Sequence, residues 1–357
     1  MISKFTVNGF KGFEHLELPR LTRVTILGGR NNVGKTTVLE AMFMLFDRFN
    51  PQMILRQFAW RGVKIVPMEP DSMWAPVFYN YDLNKSISIS VLRNNTAEKM
   101  TIKFNPNYIP PAIPADIEKS GAKGLQIRTD QNPVPSYALD ITYDNESQNQ
   151  AAHLLMGPEG LGIRIDNAMG KQRSAVFIGA RVPVNPSEDA ERFGQLDIMG
   201  MQDKILDFLR LIEPNLKSLS SITVGGTSLI HGDVGLTRKI PVSYMGDGMS
   251  RLLTIILAIA TSQKGIVAID ECENGIHHSV MPKIWEGISR AAREFDCQVV
   301  GTTHSDECLK AAYKGFSCGL EKDLSYIRLD RLNNRTVAKT FDYEMLNVAI
   351  ETNMEVR

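Results

Sequence analysis

Arg23-Val24-Thr25-Ile26-Leu27-Gly28-Gly29-Arg30-Asn31-Asn32-Val33-Gly34-Lys35-Thr36-Thr37 decides how this chain is read. It runs from an apolar strand through a glycine loop into the start of a helix. Within it Gly29 to Thr36 fit G-x-x-x-x-G-K-[ST], a loop whose backbone N–H groups cradle phosphates while the lysine reaches the β- and γ-phosphates and the hydroxyl meets Mg²⁺. The flanks agree with that reading. Val24 to Leu27 are strand formers, and Val38, Leu39, Met42, Phe43, Leu45 and Phe46 lie at helical spacing, which gives strand, loop, helix.

Upstream, residues 2 to 8 and 14 to 18 alternate as two short strands around Asn8-Gly9-Phe10-Lys11-Gly12-Phe13. Lys11, between two aromatics, is either part of a surface hairpin or a cap near the nucleotide. From Asn50 to about Gly170 prolines punctuate short runs. Ser86 to Leu92, Met100 to Phe104 and Ala138 to Tyr143 alternate like antiparallel strands, and Asn105 to Pro114 has the texture of an extended loop, so a β-rich insertion is expected. Lys119, Lys123 and Arg128 alternate with Asp116, Glu118 and Asp130, the mark of a solvated face more than of a polyanion site.

The C-terminal part has α/β texture. Ser174 to Gly179 is a strand, and Gln202 to Ile212 is a helix ended by Pro214. Ile222 to Val224 and Ser228 to Ile230 make a hairpin. Gly248 to Ala260 is an apolar helix, Ile266 to Ile269 a buried strand, Val280 to Phe295 an amphipathic helix, and Gln298 to Thr302 a further buried strand. Asp323 to Leu329 and Val337 to Phe341 close as a hairpin before a terminal helix over Tyr343 to Thr352.

Two carboxylates, Asp270 and Glu271, stand at the end of the strand Ile266 to Ile269. A phosphate loop needs such a partner, one carboxylate to hold Mg²⁺ and a second to polarise water. Before them, Ser243-Tyr244-Met245-Gly246-Asp247-Gly248-Met249-Ser250-Arg251 opens a helix, a second N-terminus whose free N–H groups and dipole seek an anion. The next strand ends in Thr302-Thr303-His304-Ser305-Asp306, which sets His304 at another strand terminus as a donor for a γ-phosphate. Lys35 and Asp270 lie 235 residues apart, more chain than ring ATPases or small GTPases usually put between these elements. No Asn-Lys-x-Asp motif for guanine is present; Asn84-Lys85-Ser86-Ile87 lacks the aspartate.

The order of phosphate loop, long insertion, G-D-G-x-x-R helix, I-D-E-x-E-N-G-x-H and T-T-H-S resembles ABC-type ATPase heads, and more closely the RecF/SMC-related group that includes the OLD ATPases. The resemblance covers residues 1 to 50 and about 175 to 357. It implies an α/β P-loop NTPase of ABC type with a β-rich inserted subdomain: an N-terminal ATPase lobe over 1–50, the insertion over 51–175, and a C-terminal lobe over 176–357. It also implies an ATP-dependent homodimer with each ATP between one chain's phosphate loop and the other's signature helix. Gly29, Asn31, Asn32, Gly34, Lys35, Thr36 and Thr37 would bind the nucleotide, Thr36 and Asp270 the Mg²⁺, and Glu271 would activate water. His304 would be the switch histidine. Ser243, Gly246, Asp247 and Gly248 would form the signature, Asn274 to His277 the loop across the dimer interface, and Lys11 the basic residue of the N-terminal hairpin. Gln57 is the candidate for the glutamine loop. Only 53 residues follow His304, too few for the TOPRIM domain of OLD nucleases, so nuclease activity is expected on a separate effector polypeptide.

Composition bounds the partners. Forty basic and forty acidic side chains cancel, so nothing in the bulk charge draws the chain to DNA, and a RecF-like clamp, the alternative reading, would need a local patch. A transporter ATPase or phosphotransferase fits the long insertion poorly. The four cysteines form no C-x-x-C pair and, with His277, His278 and His304, match no zinc spacing. The N-terminus is strand-like, not a signal peptide, and no apolar run approaches about 18 residues, so a cytoplasmic protein without a membrane partner is expected.

Overall fold

The structure, a computed structural model, describes residues 1–109, 136–146, 148–157, 160–166, 173–180, 185–317 and 319–352. Lys119, Lys123, Arg128 and Cys318 lie outside them. In chain order the elements are β1 (Ile2–Phe10), β2 (Phe13–Leu18), β3 (Val24–Gly28), α1 (Lys35–Phe46), α2 (Met53–Trp60), α3 (Pro70–Met73), β4 (Ser86–Arg93), β5 (Thr96–Tyr108), β6 (Ser136–Asn145), β7 (Gln148–Gly157), β8 (Gly160–Ile165) and β9 (Ala175–Ile178). There follow α4 (Pro186–Ile198), α5 (Gln202–Leu209), β10 (Ser218–Val224), β11 (Thr227–Asp233), β12 (Ile240–Pro241), α6 (Asp247–Thr261), β13 (Ile266–Ile269), α7 (Met281–Glu294), β14 (Gln298–Thr302), α8 (Asp306–Phe316), β15 (Leu324–Leu332), β16 (Arg335–Phe341) and α9 (Tyr343–Glu351).

A six-stranded sheet carries the chemistry, in the order β16-β15-β3-β14-β13-β9. All but β16 are parallel. Strands β3, β13 and β14 are buried along their whole length, as continuous apolar runs covered on both faces must be. Their alternation divides the interior. Val24, Ile26, Val267, Ile269 and Val299 face a core built with α4 to α9, whereas Leu27, Ile266, Ala268 and Val300 face a second core built with α1 and the other large sheet. Parallel strands bring their carboxyl ends to one edge. The loop after β3, Asp270 after β13 and His304 after β14 therefore share an edge, where open α/β sheets bind ligands.

The second sheet runs β2-β1-β4-β5-β6-β7-β8 and is antiparallel throughout. Strand β4 alternates buried and exposed residues, so one face packs and the other meets water. The N-terminal hairpin is not a surface appendage, because β1 lies between β2 and β4 and the strands expected in the insertion extend the sheet it begins. Strand β5 also continues through Asn105 to Tyr108, where an extended loop was expected: a bulge lets Tyr108 pair with Ser136 and bury its ring. Helices α4 and α8 and strands β7 and β8 were not anticipated. In α8 the N-cap Ser305 and first-turn Asp306 and Glu307 are standard helix-start chemistry.

Candidate active site

The glycine loop joins β3 to α1, and Gly34 is the residue on which the junction depends. Its φ is 99°, a left-handed value, and a Cβ there would stand 2.5 Å from the ring of Phe13. Helix α1 starts one residue later at Lys35, with its first N–H groups pointing into the loop. Lys35 Nζ donates to the carbonyls of Gly29 at 2.7 Å and Arg30 at 3.0 Å, folded back over the loop it belongs to. Burial lowers its pKa, and the charges of Glu273, Asp270 and Glu271 oppose that shift. Asn31 and Asn32 are exposed on the loop's outer turn, and Thr37 is buried one residue inside the helix.

Asp270 meets this loop directly. Thr36 Oγ1 donates to both Asp270 carboxylate oxygens, at 2.9 and 3.1 Å, and Thr302 Oγ1 donates to Oδ1 at 2.7 Å. The Thr302 hydroxyl in turn accepts from the backbone N–H of Glu271 at 2.8 Å, so one side chain fixes both carboxylate positions. Burial raises the Asp270 pKa, and the two hydroxyl hydrogen bonds hold it down. A hydroxyl beside a carboxylate is the hard oxygen set that suits Mg²⁺, so the residues present fit that ion.

Glu271 has φ 50°, unusual for a side chain of its size and characteristic of strained functional positions. Asn274 Nδ2 donates to its Oε2 at 2.9 Å, which orients the carboxylate. His304, half exposed, is held by Glu273: Nδ1 lies 3.0 Å from Oε1, and the His304 backbone N–H donates to the same oxygen at 2.9 Å. His277 is exposed on the turn beyond, stacked on His278 with centroids 4.1 Å apart.

A cleft of about 450 Å³ lies alongside α1, lined by Lys11, Gly12, Thr37, Gln57, Arg61 and Tyr81. Lys11 is engaged by α1. Its Nζ pairs at 2.7 Å with Glu40, a fully buried α1 carboxylate that also receives Arg61 Nε at 2.7 Å and Nη2 at 2.8 Å. Burial pushes the Lys11 ammonium down to about 8, against the charge of Glu40. Gln57, on α2, is buried with neither amide atom hydrogen-bonded.

The signature stretch stands apart from all of this. Gly246 caps α6 with φ 109° and ψ 155°, a combination open in practice only to glycine. Ser243, Tyr244, Gly246 and Asp247 are exposed. Among the described residues no hydrogen bond or ion pair joins residues 243–248 to the phosphate loop. The structure thus brings Lys35, Thr36, Asp270 and Glu271 together, sets His304 on the neighbouring strand end, and leaves Ser243, Gly246 and Asp247 on the surface with Gly248 half-buried against Val280. Sequence reasoning missed Thr302, Glu273 and Glu40; of these only the first two had a signal, since both lie inside the motifs already singled out.

Comparison with known proteins agrees with this geometry. Residues 24–310 match the family described as "AAA domain, putative AbiEii toxin, Type IV TA system". A Helicobacter pylori protein named ATP/GTP phosphatase is 24% identical over 333 residues, 87% of each chain. An uncharacterised Methanocaldococcus jannaschii protein is 24% identical over 157 residues, 41% of this chain and 67% of that one. Among solved structures, an SMC head bound to the C-winged helix domain of ScpA superposes with a TM-score of 0.52 at 12% identity, over 98% of this chain and 99% of that one. An SMC head with an extended coiled coil, bound to the C-terminal domain of ScpA from Pyrococcus furiosus, gives 0.50 at 11% identity over 99% of each. Among the described residues no helix is long and apolar enough to cross a membrane. With its glycine loop and paired carboxylates on a fold shared with SMC heads, the chain belongs to the family described as "AAA domain, putative AbiEii toxin, Type IV TA system" and is a P-loop ATPase.

Proposed function

We propose that the chain is an ATP-driven switch in which two copies close head to tail around two nucleotides and report their state to a separately encoded effector. The observation that carries this reading is the division of the site. Phosphate loop, Asp270 and Thr302 are already hydrogen-bonded to one another, while the start of α6 stands exposed at Gly246 and Asp247 with no side chain capping it among the described residues.

In this reading the phosphates lie on the N–H groups of residues 29–36 with Lys35 between the β- and γ-phosphates, and the nucleoside enters the cleft beside Thr37. Thr36 and Asp270 would hold Mg²⁺, which when bound would supply charge neutralisation to the phosphates. Glu271, oriented by Asn274, accepts a proton from the attacking water, and His304 faces the γ-phosphate. Gly246 to Gly248 of the partner copy cover the γ-phosphate from the other side. Asn274 to His277 lie at the seam between copies. The resemblance to OLD ATPases and the toxin named in the family description support an effector role in defence against mobile elements, with a nuclease as the reader of the closed state. Differential affinity of that reader for closed and open dimers is the coupling.

Glu271→Gln should bind ATP, stop turnover and accumulate as a dimer, whereas Lys35→Ala should stay monomeric with ATP. Light scattering with and without ATP checks both. An unchanged mass for Glu271→Gln at saturating ATP overturns the switch.

A further inference from the structure

We infer that Glu273 is a positioning residue for ATP hydrolysis, holding the His304 ring so that its Nε2 edge faces the γ-phosphate; this rests on the reading of His304 given above. Glu273 lies in the turn after β13 and His304 just after β14, so their contact ties two adjacent strand ends across the site. One oxygen, Oε1, takes both the His304 backbone N–H at 2.9 Å and the ring Nδ1 at 3.0 Å. A carboxylate only accepts, so Nδ1 carries the proton; in the imidazolium form Nε2, on the ring's far edge, carries the second proton and is the donor a γ-phosphate oxygen can take. The imidazole is half exposed while Glu273 keeps 11% of its side-chain surface, so a nearly buried acid steers an open ring.

The other oxygen makes the case that this is more than packing. Glu273 Oε2 is buried with no hydrogen-bond partner, an arrangement that costs stability in the free protein. It stands in the field of the phosphate-loop lysine, whose ammonium feels Glu273 more strongly than Asp270 or Glu271. A carboxylate placed to serve stability alone would have both oxygens satisfied. This one spends its first oxygen on the histidine and keeps the second buried without a partner.

The test is steady-state ATP hydrolysis by Glu273→Ala, His304→Ala and the double variant, with binding of a fluorescent ATP analogue measured alongside. Glu273→Ala should lose about 10- to 100-fold in kcat with KM within about threefold, the scale seen when a partner that orients a functional histidine is removed. The double variant should be no slower than His304→Ala alone, because Glu273 acts through that ring. Glu273→Gln, which keeps an acceptor for the backbone N–H, should recover part of the loss, and it replaces the alanine variant if that one fails to fold. An unchanged kcat in Glu273→Ala beside a slow His304→Ala overturns the positioning role. Losses that multiply in the double variant overturn it as well, by showing that Glu273 acts independently. If His304→Ala itself turns over at the normal rate, the histidine reading falls and this inference with it.

Discussion

At the scale of single residues, the site is governed by how few side chains can share a buried carboxylate. Thr302 shows this best: its one hydroxyl gives a hydrogen bond to Asp270 and takes one from Glu271 N–H, so a residue with no role of its own in the motif sets the two that have one. A similar economy braces the signature helix. Asp189 on α4 is 4% exposed, and its Oδ2 accepts from Thr254 on α6 at 2.5 Å, with Arg192 3.5 Å from Oδ1. Burial pushes this carboxyl up to about 6 from 3.8, and the Thr254 and Arg192 contacts hold it from going higher. The pKa is raised in the folded state, so Asp189 adds stability in full below pH about 4 and loses it as pH climbs through about 6. The lost part is on the order of 3 kcal/mol. Asp189→Asn keeps an acceptor for Thr254 without the charge. Its unfolding free energy should therefore gain on the natural protein between pH 4 and pH 7, and urea melts across that range that stay parallel would refute the assignment. Nothing in Pro186-Ser187-Glu188-Asp189 distinguishes this acid from its exposed neighbour Glu188; burial, which the sequence does not display, separates them.

At the scale of elements, α1 does two things at once. Its N-terminus closes the glycine loop, and one turn further on it buries Glu40 between Lys11 of the N-terminal hairpin and Arg61 just after α2. Three elements that flank the nucleotide cleft are thus joined at one carboxylate. Removing one partner of a buried ion pair strands the charges left behind, so Glu40→Ala should destabilise the fold by about 3–5 kcal/mol, measured by chemical denaturation. A loss under about 1 kcal/mol would mean that solvent screens the pair. The helix itself was legible, because strand, glycine loop and apolar stripe are local patterns with fixed periods. The charge cluster was not, since a glutamate in an amphipathic helix ordinarily faces water, and only the fold brings positions 11, 40 and 61 together. Lys11 was accordingly expected on the nucleotide, whereas its ammonium is spent on Glu40. The second sheet shows the same limit: β4, β5 and β6 alternate and were visible, while the pairing of β4 with β1 depends on a contact across some eighty residues of chain that no local period encodes.

At the scale of the whole molecule, the order of motifs was enough to indicate an SMC-like head, because each motif sits at a strand end and parallel strands carry strand ends to one edge. In the proposed reading the other half of the site comes from a second copy. If the turn at Gly246 to Gly248 completes the nucleotide site of a second copy, the two halves can be broken in different chains. Lys35→Ala removes a phosphate loop but leaves its signature intact; Gly248→Asp places a negative charge at the start of α6 and leaves its phosphate loop intact. Each variant alone should be inactive, the first because it fails to bind ATP, the second because it binds ATP and does not close. Mixed in equal amounts they can close only as mixed dimers, each with one intact site of two, built from the Gly248→Asp loop and the Lys35→Ala signature, so activity should return to at most about half of the natural level per chain. The recovered rate should also rise with total protein concentration, since the site exists only in the dimer. Two inactive proteins that stay inactive when mixed, although each still folds and Gly248→Asp still binds ATP, would place the whole ATPase site within one copy and require another role for the α6 N-terminus.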